Sequence, residues 1–195
     1  STGSKGEIAR GGSSTLTYDF EDGTLQGWTA MDADGDGNNW YATSIYGANG
    51  GSYAVASESY NDYAGALSPD NYLVSPQVTL GAGASISFYE EAYYGWEEPL
   101  YLMVSTTGTN PSDFTQIANW SFSNGSAFAQ QTVDLSAYAG QQVYIAFRHT
   151  NSSDNYAIVV DDITINGVAG DEPEPGAGMF VPAGTYYLVA QATES

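Results

Sequence analysis

Asp32-Ala33-Asp34-Gly35-Asp36-Gly37-Asn38 places three carboxylates on alternate positions, followed by glycine and an amide. Calcium is a hard cation that takes about six to eight oxygen ligands from a flexible loop, and an EF-hand loop opens with this spacing: carboxylates at 1, 3 and 5 and glycine at 6. Counted from Asp32, however, position 12 is Thr43 and not the bidentate Glu. The flanks GWTAM and NNWYATSIY read as strand or loop, not helix. The segment is therefore not an EF-hand. Two readings stay open on spacing alone: a calcium loop closed by oxygens from elsewhere in the chain, or a solvated Asp/Gly turn.

A second carboxylate pair lies inside an apolar run, Val159-Val160-Asp161-Asp162-Ile163-Thr164-Ile165. Neighbours along a strand face opposite sides. By that parity Asp161 shares a face with Val159, Ile163 and Ile165, and Asp162 shares one with Val160 and Thr164. A buried carboxylate is costly unless paired or metal-bound. Cationic partners nearby are limited to Arg148 and His149. A metal ion is the other solution, with Asp19, Glu21 and Asp22 of YDFEDGT available if the first and last strands lie side by side. Against it stand an Asp161–Arg148 pair, or a bulge that turns both Asp residues outward.

Catalysis has little to stand on. His149 is the single histidine, no G-x-S-x-G elbow is present, and a structural or surface role suits it better than a triad. Glycoside hydrolysis needs two carboxylates across a cleft. The Glu pairs, Glu90/Glu91 and Glu97/Glu98, flank YYGW and read as a solvated acidic loop. The expectation is a module that is not an enzyme, within a parent that can be one.

Lys5, Arg10 and Arg148 are the only basic side chains against 23 acidic ones, giving a formal net charge of -20. Such a surface repels nucleic acid and anionic membranes. Cysteine is absent, so disulfides and thiolate metal sites are excluded. No run approaches the ~18 apolar residues of a membrane span, and no signal peptide is visible.

The elements that must position these residues are strands. Ile86 and Phe88 alternate with polar neighbours; Leu100, Leu102 and Val104 share a face, as do Val143, Ile145 and Phe147; 156–165 is rich in β-branched residues. Asp22-Gly23, Asn49-Gly50, Asn124-Gly125 and Asn166-Gly167 mark turns. The pattern predicts an all-β sandwich of antiparallel strands over 15–167. Residues 1–14 read as a leader or linker and 168–178 as a Pro/Gly/Glu linker. The tail 179–195 reads as a β strand or the start of a following module.

YDFEDGTLQGWTAMDADGDGNNW at 18–40, SPDNYLVSPQVTL at 68–80, ISFYEEAYY at 86–94, LYLMVSTTGTNPSDF at 100–114 and VYIAFRHTNSSDNYAIVVDDITI at 143–165 resemble, in order and wording, the cleaved-adhesin modules of gingipain proteases and related surface proteins of Bacteroidetes. The resemblance covers about residues 15–167, and the DFEDGT…GW opening and DDI close are also similar to MAM-type jelly rolls. It implies a jelly-roll sandwich with structural calcium, used as a secreted or cell-surface, outer-membrane-associated adhesion module beside other modules of the same polypeptide. Its calcium ligands, carried onto this chain, are Glu21, then Asp32, Asp34, Asp36 and Asn38, then Asp161 and Asp162. Two departures stand out: the gingipain modules have cysteines that this chain lacks, and this chain is more acidic.

For a ligand, the expected surface is Tyr93, Tyr94 and Trp96 beside Asn151, Asp154 and Asn155, with Tyr60 and Tyr63 as a second aromatic group. The partner is a host or matrix protein, or a glycan if the module is a carbohydrate-binding appendage of a secreted hydrolase. A groove lined by Trp96 would favour the glycan; a flat acidic face would favour the protein.

Overall fold

The computed structural model describes residues 13–170. Thirteen strands follow one another: β1 (Ser13–Tyr18), β2 (Thr29–Asp32), β3 (Tyr41–Thr43), β4 (Ala54–Glu58), β5 (Tyr60–Asn61), β6 (Gly65–Ala66), β7 (Asn71–Val74), β8 (Val78–Ala92), β9 (Glu98–Ser105), β10 (Thr115–Phe122), β11 (Ala129–Asp134), β12 (Gln142–His149) and β13 (Ala157–Ala169). The only helical elements among these residues are three single 3-10 turns. No described helix is long and apolar enough to cross a membrane.

Eleven of the strands form two antiparallel layers, while β5 and β6 pair only with each other. In one, β13 pairs on one side with β8, which carries β11 at its other edge, and on the other side with β1 and β4, with β3 beyond β4. In the other, the order is β10-β9-β12-β7-β2. The layers touch through a short pairing at the start of β8, Thr79 with Gln142 and Val78 with Val143. β1 and β13 do lie side by side. Pairing begins at Ser13 with Ala169, so the strands reach two residues past the expected 15–167 span at each end. Most of the expected leader and linker, and all of the tail 179–195, lie outside the described residues.

Alternation predicts the core well. Ile86, Phe88, Leu100, Leu102, Val104, Val143, Ile145 and Phe147 are all buried between the layers with Phe20, Trp28 and Trp40. Phe147 packs edge-on against Phe88 at 4.8 Å and lies 5.9 Å from Trp28. The outer face of the β13 layer carries its own cluster, in which Tyr46 covers Ala54, Ala56, Ala157 and Val159, flanked by Tyr41, Tyr93, Phe128 and Tyr156.

The Glu pairs depart from expectation. Glu90, Glu91 and Glu98 are buried and only Glu97 is exposed. The alternation that points Phe88 inward carries Glu90 inward too and leaves Glu91 on the tyrosine-covered outer face. Glu90 Oε1 accepts a hydrogen bond from Gln131 at 3.3 Å, while its buried Oε2 has no partner among the described residues. Burial pushes both carboxyls up to about 7. Native Glu90 and Glu91 therefore hold protons that the unfolded chain releases between roughly pH 4.5 and 7, so stability falls as pH rises through that window. Glu98 shifts the other way, and its contribution is lost only below the window. With chelator present, denaturant unfolding is expected to show greater stability at pH 5 than at pH 7.5. Glu90→Gln and Glu91→Gln should each flatten the slope, removing about 1–3 kcal/mol of the difference; an unchanged slope in both would disprove the assignment.

Candidate functional site

The DADGDG loop leaves the end of β2 and folds back on its own carboxylates. Asp32 Oδ1 accepts the Gly35 N–H and Oδ2 the Gly37 N–H, both at 2.8 Å. Asp36 Oδ1 accepts the Asn38 N–H at 2.7 Å, and Asp34 Oδ1 accepts the Asp70 N–H at 2.9 Å. Gly35 and Gly37 both have positive φ, which lets the backbone curl tightly enough for these bonds. Burial pushes the Asp32 pKa up, but the Gly37 and Gly35 N–H groups outweigh it and hold the carboxyl below its ordinary range. Asp34 is raised, first by burial. Oxygens of Asp32, Asp34 and Asp36 all lie within 4.8 Å of one another. Three convergent carboxylate oxygens with no nitrogen or sulfur donor suit a hard divalent cation. Asn38 contributes its backbone N–H to the loop.

Glu21, Asp161 and Asp162 gather around a different segment, the loop 47–53 between β3 and β4. Asn49 donates its N–H to Asp161 Oδ2 at 2.8 Å and its side-chain amide to Asp162 Oδ2 at 2.7 Å. Ser52 and Tyr53 donate their N–H groups to the Glu21 carboxylate at 3.0 Å. Between them Gly51, at φ +70°, passes so close to Glu21 that any Cβ there would collide with its carboxylate. The Asn49 signal was legible only as a turn; that the turn wraps carboxylates from 28 residues before it and 112 after it was not.

Asp161 is fully buried, as expected, but not by the expected parity. The register of β13 against β8 slips between Asp161 and Thr164, and Asp162 sits at φ +46°. Across this bulge Ile158, Val160, Ile163 and Ile165 all reach the main core, while Val159 belongs to the outer cluster. Asp161 therefore continues the outer row of Ala157 and Val159 and is sealed by the 47–53 loop. The Arg148 alternative is excluded: Arg148 makes a two-pronged pair with Asp70, Nε to Oδ1 at 2.7 Å and Nη2 to Oδ2 at 2.9 Å. Burial raises Asp161 to about 6, and no cation among the described residues answers it. An all-oxygen, anionic, partly buried donor set again fits a calcium ion.

The expected ligand surface also comes together. Tyr93 and Tyr94 form a 3-10 turn after β8, with ring centroids 4.2 Å apart and Tyr94 at φ +57°. Trp96 follows, 57% exposed, and Tyr94 is 67% exposed. The β12–β13 loop packs beside this turn: Asn155 Nδ2 donates to Glu97 O at 2.8 Å and Asn151 Nδ2 to the Tyr101 hydroxyl at 2.9 Å. Asp154 is exposed and donates its N–H to Ser59 O at 2.9 Å. Tyr156, not singled out from sequence, is the hub, with its ring 5.1–6.1 Å from those of Tyr46, Tyr60, Tyr93 and Tyr94. Asn151 borders a polar cavity of about 460 Å³ with Ser68, Asp70 and Ser152, and an apolar one of about 330 Å³ lies by Met31, Pro76 and Tyr144. Tyr93, Tyr94 and Trp96 line neither.

A buried polar network fixes this loop pair. His149 Nε2 meets Glu98 Oε2 at 2.6 Å and its Nδ1 meets Ser57 Oγ at 2.8 Å. Ser59 and Ser152 hydroxyls and the Tyr156 N–H also donate to Glu98. Ser, His and Glu in a row have the order of a triad, but Ser57, His149 and Glu98 have no exposed surface, so no substrate reaches Ser57.

The cleaved adhesin domain family model matches residues 14–165. Hemagglutinin A of Porphyromonas gingivalis is 38% identical over 177 residues, covering 78% of this chain and 7% of that protein. Among solved structures, the K2 cleaved adhesin domain of Lys-gingipain is 36% identical with a TM-score of 0.68, covering 78% of this chain and 99% of that one. The CBM22-1 xylan-binding domain of Paenibacillus barcinonensis Xyn10C shares the fold at 18% identity and a TM-score of 0.56, covering 85% of this chain and all of that one. The chain thus spans a small part of its full-length curated relative and nearly the whole of a single excised domain. It belongs to the cleaved adhesin domain family, the β-sandwich modules of haemagglutinins and gingipains.

Proposed function

We propose that this domain is a non-catalytic, calcium-stabilised adhesion module of a secreted or cell-surface protein. It binds a host or matrix protein through the surface of Tyr93, Tyr94, Trp96, Asn151, Asp154 and Asn155. The observation that carries the binding surface is the exposure of Tyr94 and Trp96 on a turn pinned by Asn155. Large exposed aromatics on an ordered loop mark interaction sites and lose little entropy on binding. Membership of a family whose members include haemagglutinins supports the same reading. The sealed Ser57–His149–Glu98 row and the buried Glu90 and Glu91 speak against catalysis in this module. Tyr94 and Trp96 stand 67% and 57% exposed, an aromatic surface that suits a protein partner.

Calcium would be held by Asp32, Asp34 and Asp36 in one group and by Glu21, Asp161 and Asp162 around the 47–53 loop in the other. Bound there, it would offset carboxylates that lack cations and fasten both loops to the sandwich, adding stability by mass action. Thermal melts in calcium and in EDTA are expected to differ by on the order of 10 °C. Superimposable melts, with no metal in the purified protein, would remove calcium from this account.

Asp161→Ala is expected to lower stability by about 2–4 kcal/mol, well beyond Asp162→Ala, because the first empties a buried, multiply bonded position. Equal, small effects in calcium would show that Asp161 is no ligand. For the binding surface, Trp96→Ala should fold normally and lose most retention on immobilised basement-membrane extract. Full retention would move the site elsewhere, and a switch of Trp96-dependent binding to xylo-oligosaccharides would favour the carbohydrate-binding alternative.

A further inference from the structure

The aromatic surface has an electrostatic character that its ring content alone does not give it. Arg148 is the single Lys or Arg among residues 13–170, and it is committed to Asp70. The tyrosines gathered around Tyr156 therefore have no basic side chain of their own to neutralise them, and carboxylates stand behind them. Glu58 accepts hydrogen bonds from the Tyr41 hydroxyl at 2.9 Å and from the Tyr46 hydroxyl. A phenol that donates to a carboxylate gains electron density in its ring, which deepens the negative potential on the ring face.

Glu91 provides the second, independent observation. It is only 2% exposed and sits opposite Val159, in the outer row that Tyr46, Tyr93 and Tyr156 cover. Neither ion pair among the described residues involves it. Tyr93 follows it by two residues in the same chain segment, and the Tyr94 ring lies 4.2 Å from that of Tyr93. Burial lets Glu91 keep its proton below about pH 7; above that, an acidic group sunk beneath aromatic rings, with no cation supplied by the described fold, is matched by a cation from outside. Aromatic faces backed by carboxylates attract ammonium and guanidinium groups within ~6 Å of the ring centre, and guanidinium is the less hydrated and stacks flat.

We propose, resting on the adhesion reading above, that the partner presents a basic segment to this surface, its arginine side chains laid on the outward faces of Tyr94 and Trp96 and held there by the field of Glu91 and Glu58. A neutral sugar would find the same ring faces but would draw nothing from Glu91.

The test uses the full chain in calcium at about pH 8.5, where Glu91 is ionised, and a short fluorescent Gly/Ser peptide carrying several arginines, compared with the same peptide carrying citrulline, by fluorescence anisotropy. The arginine peptide is expected to bind and the citrulline peptide not. Tyr94→Ala, Trp96→Ala and Glu91→Gln should each weaken binding by about 3–5-fold, with melting curves showing that each variant folds. Asp134→Asn, on the exposed far end of β11, should leave binding unchanged. Loss of equal size in Asp134→Asn, no loss in Tyr94→Ala and Trp96→Ala, or equal binding of the citrulline peptide would overturn the inference, leaving diffuse attraction to an acidic protein. Retention on basement-membrane extract separates the two levels. If Tyr94→Ala and Trp96→Ala abolish retention but the arginine peptide does not compete, the cationic chemistry is wrong and the adhesive surface stands. If retention ignores both substitutions, the surface itself is wrong.

Discussion

The organising constraint of this molecule is carboxylate without countercharge. Twenty-three acidic side chains share three basic ones, and within residues 13–170 the one basic residue goes to Asp70. Every other carboxylate needs a different partner, and the fold shows which. Asp32, Glu21 and Asp161 collect backbone N–H groups from loops that wrap them. Glu98 collects a histidine and two hydroxyls. Glu90 and Glu91 are left to burial, which favours their protonated forms. The loops are shaped by this need as much as the strands are shaped by hydrophobic burial.

The layers were legible because alternation is a local property. Ile86/Phe88, Leu100/Leu102/Val104 and Val143/Ile145/Phe147 each declare a face within a few residues, and each face is in the core. The same rule, followed two residues further along β8, would have placed Glu90 inside. Paired glutamates beside YYGW read instead as a solvated loop, and that reading hides the alternation. At β13 the rule failed for a physical reason: a bulge with Asp162 in the left-handed region adds a residue to the strand, and a bulge leaves no sure mark in local composition.

The candidate sites divide in the same way. The DADGDG carboxylates converge because they are neighbours in sequence. Glu21, Asp161 and Asp162 could be named from family wording, yet the loop that unites them, Asn49 to Tyr53, could not, since its role depends on contacts made over 31 to 113 residues. Tyr156 was invisible for a similar reason. It reads as the first residue of a strand, and its position at the centre of four other tyrosines exists only once β4, β8 and β13 lie side by side. The buried Ser57–His149–Glu98 row then acts as a brace: it ties β4, β9 and β12 to the loop that carries Asn155, whose amide holds Glu97 O beside the aromatic turn.

The pairing of Ser13 with Ala169 has a mechanical meaning. The polypeptide enters and leaves the described sandwich on adjacent antiparallel strands at one pole. β13 then runs about 35–40 Å to the pole where Tyr156 and the aromatic turn sit. Tension applied across Ser13 and Ala169 would peel β1 from β13 one ladder bond at a time, from that end, rather than shear the whole pair at once. The aromatic turn thus lies at the pole away from the ends of both strands. The first point of yield would lie at the opposite end from that turn, with the 47–53 clasp on Glu21, Asp161 and Asp162 the next obstacle the peeling front meets.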